Sequence, residues 1–257
     1  MSDPEAPYVA SFSYRGPNPV TSNILKPDLA APGVHILAAG TPYVFRSGTS
    51  MACPHASGAA AYVKSFNPTW SPVAIKSALI TTAHVMSPTK NVDAEFAYGA
   101  GQLIPLAATM PGLVYDVDEK DYINMLCAEG YNATNLRAIT GDSTACTSTT
   151  NGNALGLNYP SVALLVKHGI SFSNSFKRTV TNVGKSNSIY KATISAPSSI
   201  KISVEPDILS FEALLEKKSF IVKIEGVAET NILSASLIWS DGVYHVRSPI
   251  IVYTLKK

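Results

Sequence analysis

The chain divides by the rhythm of its apolar residues. Up to about residue 110, short apolar runs alternate with turn-rich stretches and two helical patterns; after Leu157 the runs become β-branched or aromatic and are cut by turn residues at close intervals. Residues 8–13 and 34–39 have strand character, separated by turn-rich sequence such as Arg15-Gly16-Pro17-Asn18-Pro19. From Gly48 to about Phe66 a helix is small on most faces (Ala52, Ala56, Gly58, Ala59, Ala60, Ala61), so neighbours can approach it closely and a central, buried helix is expected. Asn67-Pro68 stops it. A second helix starts at once, with Ser71 as N-cap and Pro72 at the first helical position. Its stripe Ile75, Ala78, Leu79 and Thr82, at i, i+3, i+4 and i+7, packs it on the same core.

Residues 111–156 read as a connector of short helices and polar loops. Asp118 is suited to cap a helix ending near Gly130, and a shorter one precedes Gly141. Residues 157–257 then contain strand-like runs at 161–166, 170–183, 189–196, 200–204, 218–224, 234–239 and 244–253. About seven strands in roughly 100 residues is the signature of a β-sandwich. Asp241-Gly242 is a type I′ hairpin signal. The sandwich lacks the two cysteines of a true immunoglobulin domain, so a fibronectin-III-like form is expected.

Chemistry concentrates in GTSMACPH, Gly48 to His55. A serine stands where a helix begins, between small residues that leave its hydroxyl uncovered. The hydroxyls of Thr49 and Ser50 suit a helix N-cap, beside N–H groups that have no helical partner. Those donors and the positive end of the helix dipole can stabilise an oxyanion forming next to the serine. Serine hydrolysis is the leading expectation. Gly48-Thr49-Ser50-Met51-Ala52 loosely fits the G-x-S-x-G elbow of α/β-hydrolases, with residues 43–45 as the strand before it. That fold needs strands and helices alternating after the serine, whereas a connector and a sandwich follow here.

More of the chain fits another family. GTSMACPHASG resembles the serine motif of subtilisin-like proteases, GTSMxxPHxxG. SFSYRGPN at 11–18, KPDLAAPGVHILAA at 26–39 and NPTWSPVAIKSALITTA at 67–83 resemble plant subtilases of the cucumisin type. So do AEFAYGAGQLIPLAA at 94–108, PGLVYDVDEKDYINMLCAEGY at 111–131, LNYPSVAL at 157–164, TVTNVG at 179–184 and IWSDGVYHVRSPI at 238–250. The resemblance is to the C-terminal portion of such enzymes. It implies an α/β unit over 1–110 (part of a subtilisin-like catalytic domain, with a parallel sheet and the buried serine helix), the connector 111–156, and a fibronectin-III-like all-β sandwich over 157–257. It also implies a secreted endopeptidase acting on polypeptides, with Ser50 as nucleophile, its N–H as one oxyanion donor, and Thr49 and Met51 adjacent. Met51 is expected to be an exposed thioether open to oxidation.

In subtilases the order along the chain is aspartate, histidine, oxyanion asparagine, serine. The 49 residues before Ser50 contain none of the first three motifs, so this polypeptide alone is expected to have little or no proteolytic activity. His55 lies five positions along the helix, about 140° round from Ser50, and reads as a structural, hydrogen-bonded residue. His35 reads as a core or edge residue of a strand, His84 as a favourable charge at a helix C-terminus, and Asp28 as a turn residue. His168 and His245 read as surface residues of the sandwich. The rivals are a non-catalytic remnant whose sandwich binds a partner or its own copy, and an incomplete gene model with its true start upstream.

Composition adds little that is sharper. Twenty basic and 18 acidic residues are scattered along the chain for a net charge of +2, with no basic run to track phosphates, which argues against nucleic acid and anionic membrane as partners. No apolar run approaches the roughly 20 residues of a membrane-spanning helix, and no signal peptide follows Met1. Cys127 and Cys146 bracket a loop that a disulfide would close, and Asn132-Ala133-Thr134 is a glycosylation sequon; both favour a secreted origin. Cys53 reads as a small buried thiol. No Cys/His or carboxylate cluster has metal-ligand spacing, so no cofactor or metal is expected; Asp116, Asp118, Glu119 and Asp121 read as a solvated helix start.

Overall fold

The computed structural model describes residues 6–146 and 154–255. In chain order the first part contains β1 (Ile36–Ala39), β2 (Tyr43–Arg46), α1 (Thr49–Phe66), α2 (Pro72–Thr81), α3 (Glu95–Tyr98) and α4 (Pro105–Ala108). Then come β3 (Leu113–Val114), α5 (Glu119–Ala128) and α6 (Ala133–Thr140). The remainder is β4 (Val162–Leu165), β5 (Ser171–Asn182), β6 (Ser188–Ser195), β7 (Ile200–Glu205), β8 (Ile208–Phe211), β9 (Lys217–Val227), β10 (Ile232–Ser240) and β11 (His245–Tyr253).

The strands from β3 onward form two sheets, ordered β4-β11-β10-β6-β8 and β3-β5-β9-β7. Between them lies a core that includes Phe176, Tyr190, Phe211, Phe220 and Trp239, each at most 2% exposed. Phe220 meets Trp239 edge-on with ring centroids 5.0 Å apart. Full burial of one such side chain contributes about 1.5–3 kcal/mol. Two strands escaped the sequence pattern. β8 is a four-residue edge strand following Pro206, and β3 comes from the stretch read as a connector, where it pairs with β5. The turn after β10 also differs. Ser240 pairs with His245, so the loop has four residues in place of a two-residue type I′ turn, and the Asp241 carboxylate accepts the N–H groups of Val243 and Tyr244.

β11 shows how the two parts join. A strand at a sandwich surface normally alternates buried and exposed residues, yet every residue of β11 from Ser248 to Tyr253 is buried. Val246, Ile250 and Val252 face the sandwich core, while Ile251 and Tyr253 belong to a second cluster with Leu25, Phe96 and Ala163. The first part therefore covers the outer face of this sheet. Phe96 meets Tyr253 edge-on at 4.9 Å, and the Tyr253 hydroxyl donates to the carbonyl of Ser22 at 2.8 Å. A second tie lies at the entry to the sandwich: the Tyr159 hydroxyl donates to Asp28 at 2.5 Å, and Lys26 donates to the same carboxylate at 2.6 Å. Burial and the neighbouring Asp28 carboxylate raise the Tyr159 pKa. Asp28 is thus an anchor between the parts, beyond the local turn role expected of it. Gly99 permits the close crossing beside it. Its φ is +61°, and a Cβ there would lie 2.3 Å from the Asp28 carbonyl.

Three expectations for the first part are corrected. Residues 8–10 have no regular structure and 11–13 turn, with Ser13 N–H bonded to the carbonyl of Ala10; no partner strand lies beside them among the described residues. The expected parallel sheet is not found among the described residues of this part; its one sheet is the antiparallel hairpin β1–β2, paired from Ile36↔Arg46 to Ala39↔Tyr43. The serine helix is not central and buried: of its 18 residues only Ala59 and Val63 are buried, on the face that α2 and α4 cover. α2 matches its pattern, with the Ser71 hydroxyl accepting the Ala74 N–H at 2.9 Å and Ile75, Ala78 and Leu79 buried.

α5 and α6 also form where expected. Asp118 and Asp121 make a reciprocal capping box on α5, and α6 ends at Gly141 in the left-handed conformation. A disulfide joins Cys127 to Cys146, closing the loop around α6. Neither helix of this pair buries much, α6 only Leu136 and α5 nothing, so the covalent link contributes about 3 kcal/mol where packing contributes little.

Candidate active site

Ser50 is the second residue of α1. Gly48 is the N-cap, with extended backbone and no side-chain cap bond, so the capping role expected of the Thr49 and Ser50 hydroxyls is not used. The segment is positioned from behind. Gly48 N–H donates to the carbonyl of Gly33 at 2.8 Å, and a Cβ on Gly33 would stand 2.9 Å from the Gly48 carbonyl and 3.1 Å from the Ala52 side chain. The Ala30-Ala31-Pro32-Gly33 stretch is thereby seated directly against the serine turn.

Thr49 and Ser50 are both exposed. Among the described residues the Ser50 hydroxyl has no hydrogen-bond partner. As a first-turn residue its N–H has no helical acceptor, and Pro54 has no N–H to offer the Ser50 carbonyl four residues back. The serine thus presents a free hydroxyl and a free N–H at the positive end of an 18-residue helix, the donor arrangement suited to a developing oxyanion. Met51 is half-buried, less open than expected, and lines an open hollow with Ile36, Leu37, Ala38, Pro54 and His55.

No histidine serves as base to Ser50 among the described residues. The His55 ring uses Nδ1 in a 2.8 Å bond with the carbonyl of Met51, one turn back on its own helix, as the helical geometry required. His35 is exposed at φ +51° in the bend just before β1, with its N–H on the Ser47 hydroxyl, so of the core or edge position expected for it the core alternative is excluded. His84 is exposed, and its backbone forms a two-way bridge with Gln102. His168 and His245 are exposed on the sandwich. Cys53 is exposed, correcting the buried thiol, because it lies on the uncovered side of α1.

With this geometry in view, the comparisons decide the family. Residues 2–101 match the subtilase family, and residues 156–252 match a fibronectin type-III domain. The subtilisin-like protease SBT4.3 of Arabidopsis thaliana is 49% identical over 274 aligned positions, taking in 99% of this chain and 37% of that protein. The chain belongs to the subtilase family. Two further Arabidopsis thaliana subtilases agree: SBT4.6 is 49% identical over 97% of this chain and 36% of its own length, and SBT4.10 is 50% identical over 96% and 39%. This subtilase chain therefore spans little more than a third of the length of the relatives it matches. Its serine turn and hollow lie inside the segment matched to the family.

Two polar groupings were not legible beforehand. Asp28 with Tyr159, and Glu95 with Ser234 and Arg247, join residues more than 130 positions apart, and no local pattern signals such pairs.

Proposed function

We propose that this chain carries the nucleophile-bearing part of a subtilisin-like serine endopeptidase. Ser50 Oγ attacks the carbonyl carbon of a peptide bond while its proton passes to a histidine. The oxyanion that forms is met by the Ser50 N–H and by a side-chain amide. Collapse of the tetrahedral intermediate expels the amine, which takes the proton, and water then hydrolyses the acyl ester. The histidine, the carboxylate that orients it and the amide are assigned to the portion of the subtilase relatives outside the 37% that this chain spans. Without them a serine hydroxyl is a poor nucleophile near neutral pH, so residues 1–257 alone have little or no proteolytic activity.

The observation that carries this reading is the uncovered Ser50 at the start of α1, inside the segment matched to the family. The open hollow lined by the next residue, Met51, is the nearest candidate room for substrate. Secretion is supported by the Cys127–Cys146 disulfide and by Asn132. Asn132 is exposed and caps α6 through its side-chain oxygen, which leaves the amide nitrogen outside that bond for a glycan. No helix among the described residues is long and apolar enough to cross a membrane. Self-association through the sandwich draws less support, because its edge strands β3, β4, β7 and β8 have two to six residues, and short edges discourage pairing between copies.

The test is to fuse the preceding catalytic region of SBT4.3 ahead of residue 1 and follow hydrolysis of a fluorogenic protein substrate. Activity that disappears in Ser50→Ala is expected. Activity that survives Ser50→Ala would assign the nucleophile elsewhere.

A further inference from the structure

Glu95 is a buried carboxylate at the seam between the two parts. It opens α3 and is 1% exposed, yet its nearest polar partners come from the sandwich. The Ser234 hydroxyl on β10 donates to Oε1 at 2.6 Å, and Arg247 Nη2 on β11 stands 3.8 Å from the same oxygen. Arg247 is itself 12% exposed, and its Nη1 donates to the carbonyl of Ala100 at 2.8 Å, so the guanidinium is committed to the backbone beside α3. Oε2 is buried and has no hydrogen-bond partner.

A carboxylate with one satisfied oxygen and a cation just beyond hydrogen-bond reach is poorly compensated for the water it has lost. We propose that Glu95, Ser234 and Arg247 form an acid-tightened clasp: protonation of Glu95 removes the uncompensated charge and strengthens the docking of the serine-bearing part on the outer face of the β4-β11-β10-β6-β8 sheet. The groups that face Glu95 are few. β11 contributes Arg247, β10 the uncharged Ser234, and α3 itself the phenol of Tyr98, whose own pKa is raised by burial and by Glu95. Burial outweighs the Ser234 hydrogen bond, the backbone N–H of Glu95 itself and the Arg247 charge, so the Glu95 pKa lies above its ordinary 4.5.

The sign follows from linkage. A carboxyl whose folded pKa exceeds its unfolded value weakens the fold above the folded pKa, where both states are ionised. That penalty fades as pH falls through the folded pKa and is gone below about 4.5, where both states are protonated. The carboxylates Asp142, Glu216 and Glu225 have lowered pKa values and act in the opposite direction, so the test must be a difference between variants.

Thermal unfolding of the full chain at pH 8 and pH 5 provides it. Glu95→Gln is expected to raise the midpoint by about 2–4 °C at pH 8 and by less at pH 5, where the penalty has partly faded. Ser234→Ala, which removes the side-chain hydrogen bond to the ionised form, lowers the midpoint more at pH 8 than at pH 5. A Glu95→Gln shift equal at both pH values would overturn the clasp. If Glu95→Gln does not fold, Ser234→Ala decides alone: equal losses at the two pH values would also overturn it.

Discussion

The serine segment and the sandwich handle apolar surface in opposite ways. In the sandwich, β9 shows the alternation that its sequence promised, with Phe220, Val222 and Ile224 buried and Ser219, Ile221 and Lys223 turned away from the core. β11 goes further, buried on both faces from Ser248 to Tyr253 because the first part lies against it, while the outward residues of β10 are mostly half-buried. In the serine segment, all four residues of β2 are exposed, including Tyr43 at 69% and Phe45 at 72%, and α1 leaves Tyr62 and Phe66 in the open. α1 and α2 make the contrast within one core: seven of ten α2 residues are buried against two of 18 in α1. A sandwich satisfies its apolar positions by its own pairing. The serine helix, built of small residues suited to close approach, meets neighbours along one face only.

That comparison can be broken by mutation, most forcefully in the core. Trp239→Ala, at a fully buried position against Phe220, is expected to cost about 3–5 kcal/mol. Phe45→Ala, at an exposed position of β2, should change stability by less than about 0.5 kcal/mol. Urea unfolding of both variants compares the regions directly, and comparable losses would mean that β2 is packed after all. The disulfide segment lies between these extremes. Cys127→Ser should cost up to about 3 kcal/mol, and because α5 has no fully buried residue the damage should be confined to α5 and α6 in amide exchange. A loss of protection spreading through β9 and β10 would show that this segment supports the sandwich as well.

What could be read in the sequence follows the range of the interactions involved. Ser71-Pro72 and Asp118 announce α2 and α5 because a cap is made within three residues, and the long strands announce themselves by their period of two. The short strands β3 and β8 carry too few residues for a period to show. The apolar runs at 8–13 and 34–39 misled in a different way, since an apolar run becomes a strand only where another backbone pairs with it; residues 8–13 have no such neighbour among the described residues, and in the second only Ile36 onward meets β2. At the site, Ser50 and the bond of His55 back onto its own helix were legible from helix geometry. The placement of Gly33 behind the serine turn, the Asp28–Tyr159 tie and the Glu95 clasp depend on contacts that only the folded chain creates.

The central claim is that Ser50 is presented as a nucleophile with no base beside it among the described residues. The most direct measurement is labelling of purified residues 1–257 by a fluorophosphonate probe, followed over time beside Ser50→Ala. The account predicts labelling as slow as in Ser50→Ala. Rapid labelling that Ser50→Ala abolishes would show that a residue of this chain activates the serine, and would contradict it.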